Sequence, residues 1–253
     1  TYKYPVSTYG DALRAVLRRM HKAGIEVFLT GGTLLGALRG GDFLGFDKDI
    51  DFGIWNDVKP FDVWCALAED PDFEASWDPG EDGPLVPYFW RKTVAIDFFR
   101  FKREPDCTSC SLYWRRSQLS WLHTPFELVE FDFCGTIVKI PEDSDRFLTE
   151  VYGDWRTPNP YFGLFASPNI EGGFPPVSRN IAYTAIFLAL WRRQRDKAMS
   201  LCDQVLALEP DNVLVRDLRD GFDKMPAASP LAASAAETII LDGIGRTFDS
   251  MPG

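Results

Sequence analysis

The spacing of apolar residues near the start of the chain predicts an amphipathic helix. Thr8 and Asp11 have the form of a capping box, which places the helix start at Thr8. Gly24 follows the last apolar position and predicts the helix end. The apolar positions that share one face of this helix are Leu13, Val16, Leu17 and Met20.

The next segment predicts two strands with a glycine turn and a short helix between them. Residues 25–32, IEVFLTGG, are typical of a short strand that runs into a turn, and residues 34–39 favour a short helix. Residues 43–54 predict the second strand. If the strand is regular, Asp47, Asp49 and Asp51 lie on one face, because successive side chains alternate.

The pattern continues with alternating helices and strands as far as residue 151. Residues 93–102, TVAIDFFRFK, predict a central strand whose apolar run is interrupted by Asp97. Residues 126–142 predict a hairpin that turns at Cys134 and Gly135. The remaining predictions are helices over 60–67 and 143–151, and an acidic surface loop over 70–88.

Residues 156–178 are rich in proline and glycine and predict an irregular connector, after which the chain becomes helical. A helix is predicted over 181–192. Residues 196–212 have the spacing of a tetratricopeptide helix and its closing proline, and residues 227–237 predict a weak final helix or tail. The sequence therefore predicts an α+β domain over 1–178 and a helical hairpin extension over 179–253, which could dock a protein partner.

Composition excludes some classes of protein. The net charge of −10 is unsuited to a general nucleic-acid binder, which needs a basic face. No run of about 18 apolar residues predicts a membrane span, and no apolar core of a secretory signal opens the sequence.

The five cysteines are an odd number and favour a reducing compartment, so the expected location is cytoplasmic. Cys107 and Cys110 form only half of a zinc site.

The alternating carboxylates predict a divalent metal site. Asp49 and Asp51 supply a pair of hard oxygen ligands, and Asp97 on another strand is the candidate third ligand. Asp47 is expected either to be an outer ligand or to orient water. Taken singly, such carboxylates could instead protect an edge strand from aggregation. Their shared face behind a glycine turn favours Mg²⁺ or Mn²⁺ as the cofactor.

The glycine turn predicts a phosphate site beside these carboxylates. Gly31 and Gly32 permit close backbone approach, and the amides that open the following helix favour an anion. The complete predicted set for substrate phosphate is Gly31, Gly32, Thr33, Arg39 and Lys48. Together the two features suit transfer of a phosphoryl-type group.

The string GGTLLGALRGGDFLGFDKDID resembles the LicD/fukutin family of the nucleotidyltransferase-fold superfamily. The later strings AIDFFRF and GTIVKIPEDSDRFLTEVYGDWRTP are similar to that family as well, so the resemblance covers about residues 25–160. It implies a mixed sheet flanked by helices, with Asp49 and Asp51 on the metal, Asp97 as third acid and Gly31 to Thr33 as the phosphate loop. The sequence departs from the family pattern at Gly40, at Gly45-Phe46 and at Lys48, which concerns the substrate more than the metal.

The resemblance implies a metal-dependent transferase that moves a phosphocholine-like or alditol-phosphate-like group. The donor would be CDP-activated, the acceptor a hydroxyl group such as that of a glycan, and CMP the leaving group. Asp97 is then either a metal ligand or the base that accepts the hydroxyl proton. One alternative is transfer of NMP from an NTP to a small molecule or protein. Another is a binding module that retains the acids without turnover.

Overall fold

A computed structural model describes residues 6–45, 47, 49–75, 88–114 and 117–224. The chain divides into two compact units, each of which is described on its own. Unit 1 comprises Thr1–Leu112 and Ser120–Arg156, and unit 2 comprises Tyr113–Leu119 and Thr157–Gly253. The predicted functional division at residue 178 stays a prediction. Among the described residues no helix is both long and apolar enough to span a membrane.

Helices and strands alternate through unit 1 and give way to helices in unit 2. The helices are α1 (Val6–Lys22), α2 (Gly31–Gly40), α3 (Pro60–Ala68), α4 (Ser144–Tyr152), α5 (Pro176–Trp191), α6 (Arg195–Leu208) and α7 (Val213–Lys224). The strands are β1 (Val27–Leu29), β2 (Asp49–Trp55), β3 (Phe73–Ala75), β4 (Tyr88–Trp90), β5 (Val94–Arg103), β6 (Thr108–Trp114), β7 (Ser117–His123), β8 (Leu128–Phe133) and β9 (Thr136–Pro141).

A mixed sheet with helices around it confirms the predicted fold class. The strand order is β1-β2-β5-β4-β3, with β6 paired to β5 and β7 paired to β6. Strands β2 and β5 run parallel, whereas β1 runs antiparallel to β2 and β4 antiparallel to β5. The parallel pair needs a long crossover, which α3, β3 and β4 provide.

Strand β2 lies at the centre of the unit 1 core. Its residues from Ile50 to Trp55 are all buried, which is expected for a strand with a paired neighbour on each side. Phe52 stacks on Phe98 of β5 with ring centroids 5.6 Å apart. Tyr9, Leu13, Val16 and Met20 of α1 pack into the same cluster. The central strands are therefore held rigidly, and so are the polar groups that they carry.

Most predicted elements of unit 1 are confirmed, including the hairpin that turns at Cys134 and Gly135. The capping box at Thr8 was wrong, because α1 already begins at Val6 and Asp11 pairs instead with Arg14 at 2.7 Å. The predicted helix over 34–39 also begins too late. Helix α2 starts at Gly31, so the expected glycine turn is the first turn of the helix itself.

Two other predictions for the sheet were wrong, and two of its strands were missed. The strand predicted from residue 43 begins at Asp49, so Asp47 lies in the loop that precedes it. The segment predicted as a surface loop over 70–88 contains β3, which pairs with β4 through Phe73 and Trp90. Strands β6 and β7 were not predicted at all, because their existence depends on pairing with distant partners rather than on local pattern.

The described part of unit 2 contains the two predicted helices, α5 and α6, and a further α-helix, α7, that was not predicted. Helix α6 packs against both α5 and α7, and the shared core contains Ile186, Leu201, Val205 and Leu218. The tetratricopeptide likeness of α6 stays a prediction. The weak helix or tail predicted over 227–237 lies outside the described residues.

Candidate metal and phosphate site

Two adjacent parallel strands bring the predicted carboxylates together. Asp51 of β2 is the register partner of Asp97 of β5, and Asp49 is the partner of Ala95. Residues in register on neighbouring strands point to the same face of a sheet, and so do residues two apart on one strand. Asp49, Asp51 and Asp97 therefore share one face at the beginning of the two strands.

Asp47 joins this group from the loop before β2. One carboxylate oxygen from each of Asp47, Asp49 and Asp51 lies within 4.8 Å of the others. Asp97 is not a member of this closest group. Tyr9 donates a hydrogen bond from its hydroxyl to the Asp47 carbonyl at 3.2 Å, and the Asp47 amide donates to the Leu44 carbonyl at 3.0 Å. The first bond connects the Asp47 loop to α1, and the second lies within the loop.

The first turn of α2 binds the Asp51 carboxylate directly. The Gly32 amide donates to Asp51 Oδ2 at 2.7 Å, and the Thr33 amide donates to the same oxygen at 3.4 Å. In return, the Asp51 amide donates to Thr33 Oγ1 at 2.9 Å. The helix N-terminus favours negative charge, so it stabilises the ionised form of this buried acid. The amides predicted to bind substrate phosphate thus already hold a carboxylate of the protein.

Glycine is required at the two positions that face the carboxylates. Gly31 has a φ of +52°, and a Cβ atom there would lie 2.4 Å from Asp51 Oδ2. A Cβ atom on Gly32 would lie 2.3 Å from Asp47 Oδ2. Real Cβ atoms do not approach other atoms this closely, so any larger residue would displace a carboxylate. The two glycines allow the helix start and the acids to meet.

Burial and mutual repulsion make the site favour a cation. Asp51 is 8% exposed, and burial, followed by the charges of Asp49 and Asp97, raises its pKa to about 7. The amides of Gly32 and Thr33 oppose this change. Burial and then the charge of Asp49 raise the pKa of Asp97 to about 6. A divalent cation would remove most of this repulsion, because it neutralises the charges that cause it.

Of the two basic side chains predicted to bind phosphate, only Arg39 is described by the structure. Arg39 lies in the last turn of α2, where its guanidinium donates to the Trp155 carbonyl at 3.4 Å. That bond connects the end of α2 with the segment after α4. Lys48 lies outside the described residues.

Tyr152 belongs to the site but was not predicted to. It is the last residue of α4. Burial raises the pKa of its phenol most, and the negative charges of Asp51 and then Asp47 raise it further. Arg39 acts in the opposite direction, so the phenol lies close to both the acids and this cation. The string EVYGDW contains this tyrosine, but only the folded chain brings the end of α4 to the carboxylates.

The residues present fit a hard divalent cation. Three carboxylates with oxygens within 4.8 Å of one another supply the oxygen donors that Mg²⁺ and Mn²⁺ prefer. Two glycines keep the space beside these oxygens clear of side chains. Cys107 and Cys110 do not form a comparable group, since Cys110 is buried and all five cysteines are free thiols.

Residues 24–143, which are 120 of the 253 residues, match the model of the LicD/FKTN/FKRP nucleotidyltransferase domain. The matched segment contains α2, β2 and β5 and thus every carboxylate of the site. The predicted resemblance is confirmed, because the segment that contains these carboxylates matches the model of that family.

Two curated relatives are similar to about two thirds of the chain. The ribitol 5-phosphate transferase FKRP of Mus musculus is 27% identical over an alignment of 183 residues, which covers 64% of this chain and 35% of that protein. The ribitol-5-phosphate transferase FKTN of Macaca fascicularis is 23% identical over an alignment of 174 residues, which covers 66% of this chain and 38% of that protein. The chain thus spans little more than a third of the length of these relatives.

One solved structure resembles the chain more distantly. The crystal structure of ANT(2")-Ia in complex with adenylyl-2"-tobramycin matches with a TM-score of 0.35 and 10% sequence identity. The match covers 85% of this chain and 97% of that chain. A similarity at this level supports no conclusion about function.

Proposed function

We propose that the chain is a divalent-metal-dependent transferase that moves a phospho-alcohol group from a CDP-activated donor to an acceptor hydroxyl. The observation that carries the proposal is the set of three carboxylate oxygens within 4.8 Å, with Asp97 in register beside them. The transferred group is inferred from the relatives, whose names describe ribitol 5-phosphate transferases.

Asp47, Asp49 and Asp51 would hold Mg²⁺ or Mn²⁺, which would neutralise charge that develops on the diphosphate of the donor. The acceptor oxygen forms a bond to the phosphorus nearest the transferred alcohol, and the bond from that phosphorus to the bridging oxygen breaks. The electron pair of the broken bond leaves with CMP. No redox step is involved, and the hydroxyl proton must pass to a base.

Asp97 is the base that we propose for this proton. Its position in register with Asp51 puts it on the reactive face, yet it lies outside the closest group of three oxygens. A carboxylate that is near a metal without being one of its tightest ligands can accept a proton at the acceptor hydroxyl. The alternative, in which Asp97 is a further ligand, predicts that Asp97→Asn weakens Mn²⁺ binding as well as turnover.

Tyr152 and Arg39 would complete the site on the side of α4. The phenol lies near the carboxylates and remains a neutral hydrogen-bond donor, while Arg39 supplies a positive charge beside it. Both groups suit the oxygens of a donor phosphate. The amides of Gly32 and Thr33 would instead orient Asp51, which they already bind.

The test is a product assay with Mn²⁺ and a series of CDP-alcohols, together with ATP, GTP and CTP, and simple alditol or glycan acceptors. Release of CMP supports the proposal, whereas release of pyrophosphate from an NTP supports nucleotidyl transfer. Asp49→Asn should lower CMP release by about 10²–10³-fold, as for other preorganised electrostatic groups. Asp57→Asn removes an exposed carboxylate elsewhere in unit 1 and should leave the rate unchanged.

A folded protein that binds Mn²⁺ but turns over none of these donors would contradict the transferase proposal. In that case the carboxylates would bind metal without catalysis, and the binding-module interpretation would take its place. Circular dichroism of each variant establishes that a loss of rate is not a loss of fold.

A further inference from the structure

Helix α5 ends in an exposed patch that the chemistry of the carboxylate site does not use. We name this set, Phe187, Leu188, Trp191, Arg192 and Arg193, the α5 patch. Trp191 is 66% exposed and Leu188 is 40% exposed. Neighbouring exposed apolar side chains, unlike single ones, can mark an interaction site.

The aromatic part of the patch is already ordered. The rings of Phe187 and Trp191 stack with centroids 6.2 Å apart and an interplanar angle of 28°. Phe187 also packs against the core of unit 2. The Trp191 ring is thereby held on the surface of the helix, so little further side-chain entropy is lost when it contacts a partner.

The basic part of the patch is free to pair with an anionic partner. Arg192 and Arg193 are exposed, and neither side chain forms an ion pair with any residue that the structure describes. By contrast, the other arginines in the described part of unit 2 have partners. Arg179 and Arg219 pair with carboxylates. Arg195 and Arg216 donate to backbone carbonyls. Two adjacent unpaired arginines are notable in a chain whose net charge is −10.

The backbone at Arg193 gives a separate reason to ask what its side chain does. The Arg193 amide donates to the Leu190 carbonyl at 2.8 Å, and the Gln194 amide donates to the Ala189 carbonyl at 2.8 Å. This is the pattern of a helix end that usually has glycine at the residue with positive φ. Arg193 occupies that position at a φ of 57°. Arg193 therefore adopts a strained backbone conformation that glycine would adopt without strain.

We propose that the α5 patch binds the surface of an anionic membrane. Tryptophan beside basic residues is the combination that prefers the boundary between lipid headgroups and acyl chains. Each arginine near such a surface contributes attraction to anionic lipid. The described part of unit 2 from 157 to 224 contains eight acidic and eight basic residues, so the negative charge of the chain is not concentrated there.

A protein partner fits the same patch less well. The exposed apolar groups come from one helix end, whereas a stable protein interface buries about 800 Å² on each side. A lipid surface has no such requirement, since a few side chains that enter the headgroup region suffice for reversible binding. The interaction we infer is therefore transient and depends on the charge of the lipid.

The test is sedimentation of the full chain with phosphatidylcholine vesicles that contain or lack phosphatidylserine, at about millimolar lipid, which weak interfacial binding requires. The expected result is binding to the anionic vesicles and little binding to the neutral ones. The double variant Arg192→Glu/Arg193→Glu should lower the bound-to-free ratio by at least about 25-fold. Trp191→Ala should lower it as well, while raised salt should weaken binding of the unaltered chain.

Two control variants separate the patch from general properties of the chain. Arg18→Glu reverses an exposed arginine of α1 in unit 1, and Ile137→Ala truncates an apolar side chain that is 57% exposed. Both should bind vesicles like the unaltered chain. Absence of binding to anionic vesicles would overturn the proposal, as would equal loss in the controls. Capture of an acidic protein through the same residues, without vesicle binding, would also overturn it.

Discussion

The start of β2 and unit 2 differ in how well their polar side chains are satisfied by the protein itself. At the start of β2, three acids crowd within 4.8 Å, and burial raises the pKa of Asp51 to about 7. In unit 2, by contrast, the half-buried Gln204 accepts from the Gly163 amide at 2.9 Å and donates to the Tyr161 carbonyl at 2.9 Å, so its amide group is satisfied. Acids that repel one another in the absence of a ligand indicate a binding site, whereas a polar group whose hydrogen bonds are all made within the protein indicates a structural role.

The largest effect expected in this comparison is on catalysis when the fit between α2 and the acids is disturbed. Gly32→Ala would put a Cβ atom 2.3 Å from Asp47 Oδ2 and displace that carboxylate. Because a misplacement of about 1 Å can cost about 10²-fold in rate, CMP release should fall by about that factor. Gly221→Ala in α7 is the control, since a Cβ atom there also meets nothing within 4 Å. Equal rates for the two variants would show that the close approach is irrelevant.

The repulsion at the site should also be visible in stability. Asp51 ionises near pH 3.8 when unfolded and near pH 7 when folded, so the unfolded state loses its proton first as the pH rises. Stability therefore falls between about pH 4 and 7, by at most about 4 kcal/mol, and the whole cost persists above pH 7. Asp51→Asn should raise the Tm at pH 8 in the absence of metal and flatten the pH dependence.

Addition of Mn²⁺ should reverse this cost in the unaltered chain. At pH 8 the Tm should rise with Mn²⁺, because only the folded state gathers the three carboxylates. In Asp51→Asn the rise should be much smaller. A Tm that is independent of pH from 5 to 8 without metal would mean that the buried acids do not repel one another as described.

A smaller effect is expected at the tyrosine of α4. Tyr152→Phe removes a phenol that lies near Asp51, Asp47 and Arg39, and should lower kcat by about 10-fold while Mn²⁺ affinity stays the same. Tyr88→Phe is the control. Its hydroxyl is buried without a hydrogen-bond partner in the described part of the chain, so its removal should change neither quantity. A parallel fall in Mn²⁺ affinity would instead assign Tyr152 to the metal.

The smallest effect is expected in unit 2 and should leave catalysis untouched. Asn212 accepts from the Val215 amide at 3.1 Å at the start of α7 and donates to the Tyr183 hydroxyl at 2.8 Å. Asn212→Ala removes both bonds and should destabilise the protein by about 1 kcal/mol, measured by urea unfolding. Turnover per folded molecule should remain that of the unaltered chain. A loss of turnover would mean that unit 2 contributes to the reaction.

The carboxylate set could be predicted from the sequence because the spacing of Asp49 and Asp51 on a strand determines their shared face. Asp97 was predictable as the single carboxylate in a largely apolar run. The start of α2 was not predictable, because Gly31 begins the helix with a positive φ and the preceding Thr30 makes no side-chain cap. Adjacent glycines indicate a turn by local rules, and only contact with Asp51 makes them helical.

The remaining differences come from long-range packing. Tyr152 reaches the site only because α4 ends beside the carboxylates, and strands β6 and β7 exist through pairing with distant segments. Helix α7 has a regular apolar face that includes Val215, Leu218 and Phe222, but Pro210 suggested an end to the helical region. The local sequence pattern therefore predicted the carboxylates of the site better than it predicted the elements around them.

We propose that Asp47, Asp49 and Asp51 bind a divalent cation for use with a nucleotide-activated donor. The most direct measurement is calorimetric titration of Mn²⁺ into the protein, followed by CDP, CMP, ATP and GTP in separate experiments, with Asp49→Asn in parallel. The account predicts saturable Mn²⁺ binding that is lost in the variant, and cytidine-nucleotide binding only when Mn²⁺ is present. Folded protein that binds no Mn²⁺, or binds it equally well after Asp49→Asn, would contradict the claim.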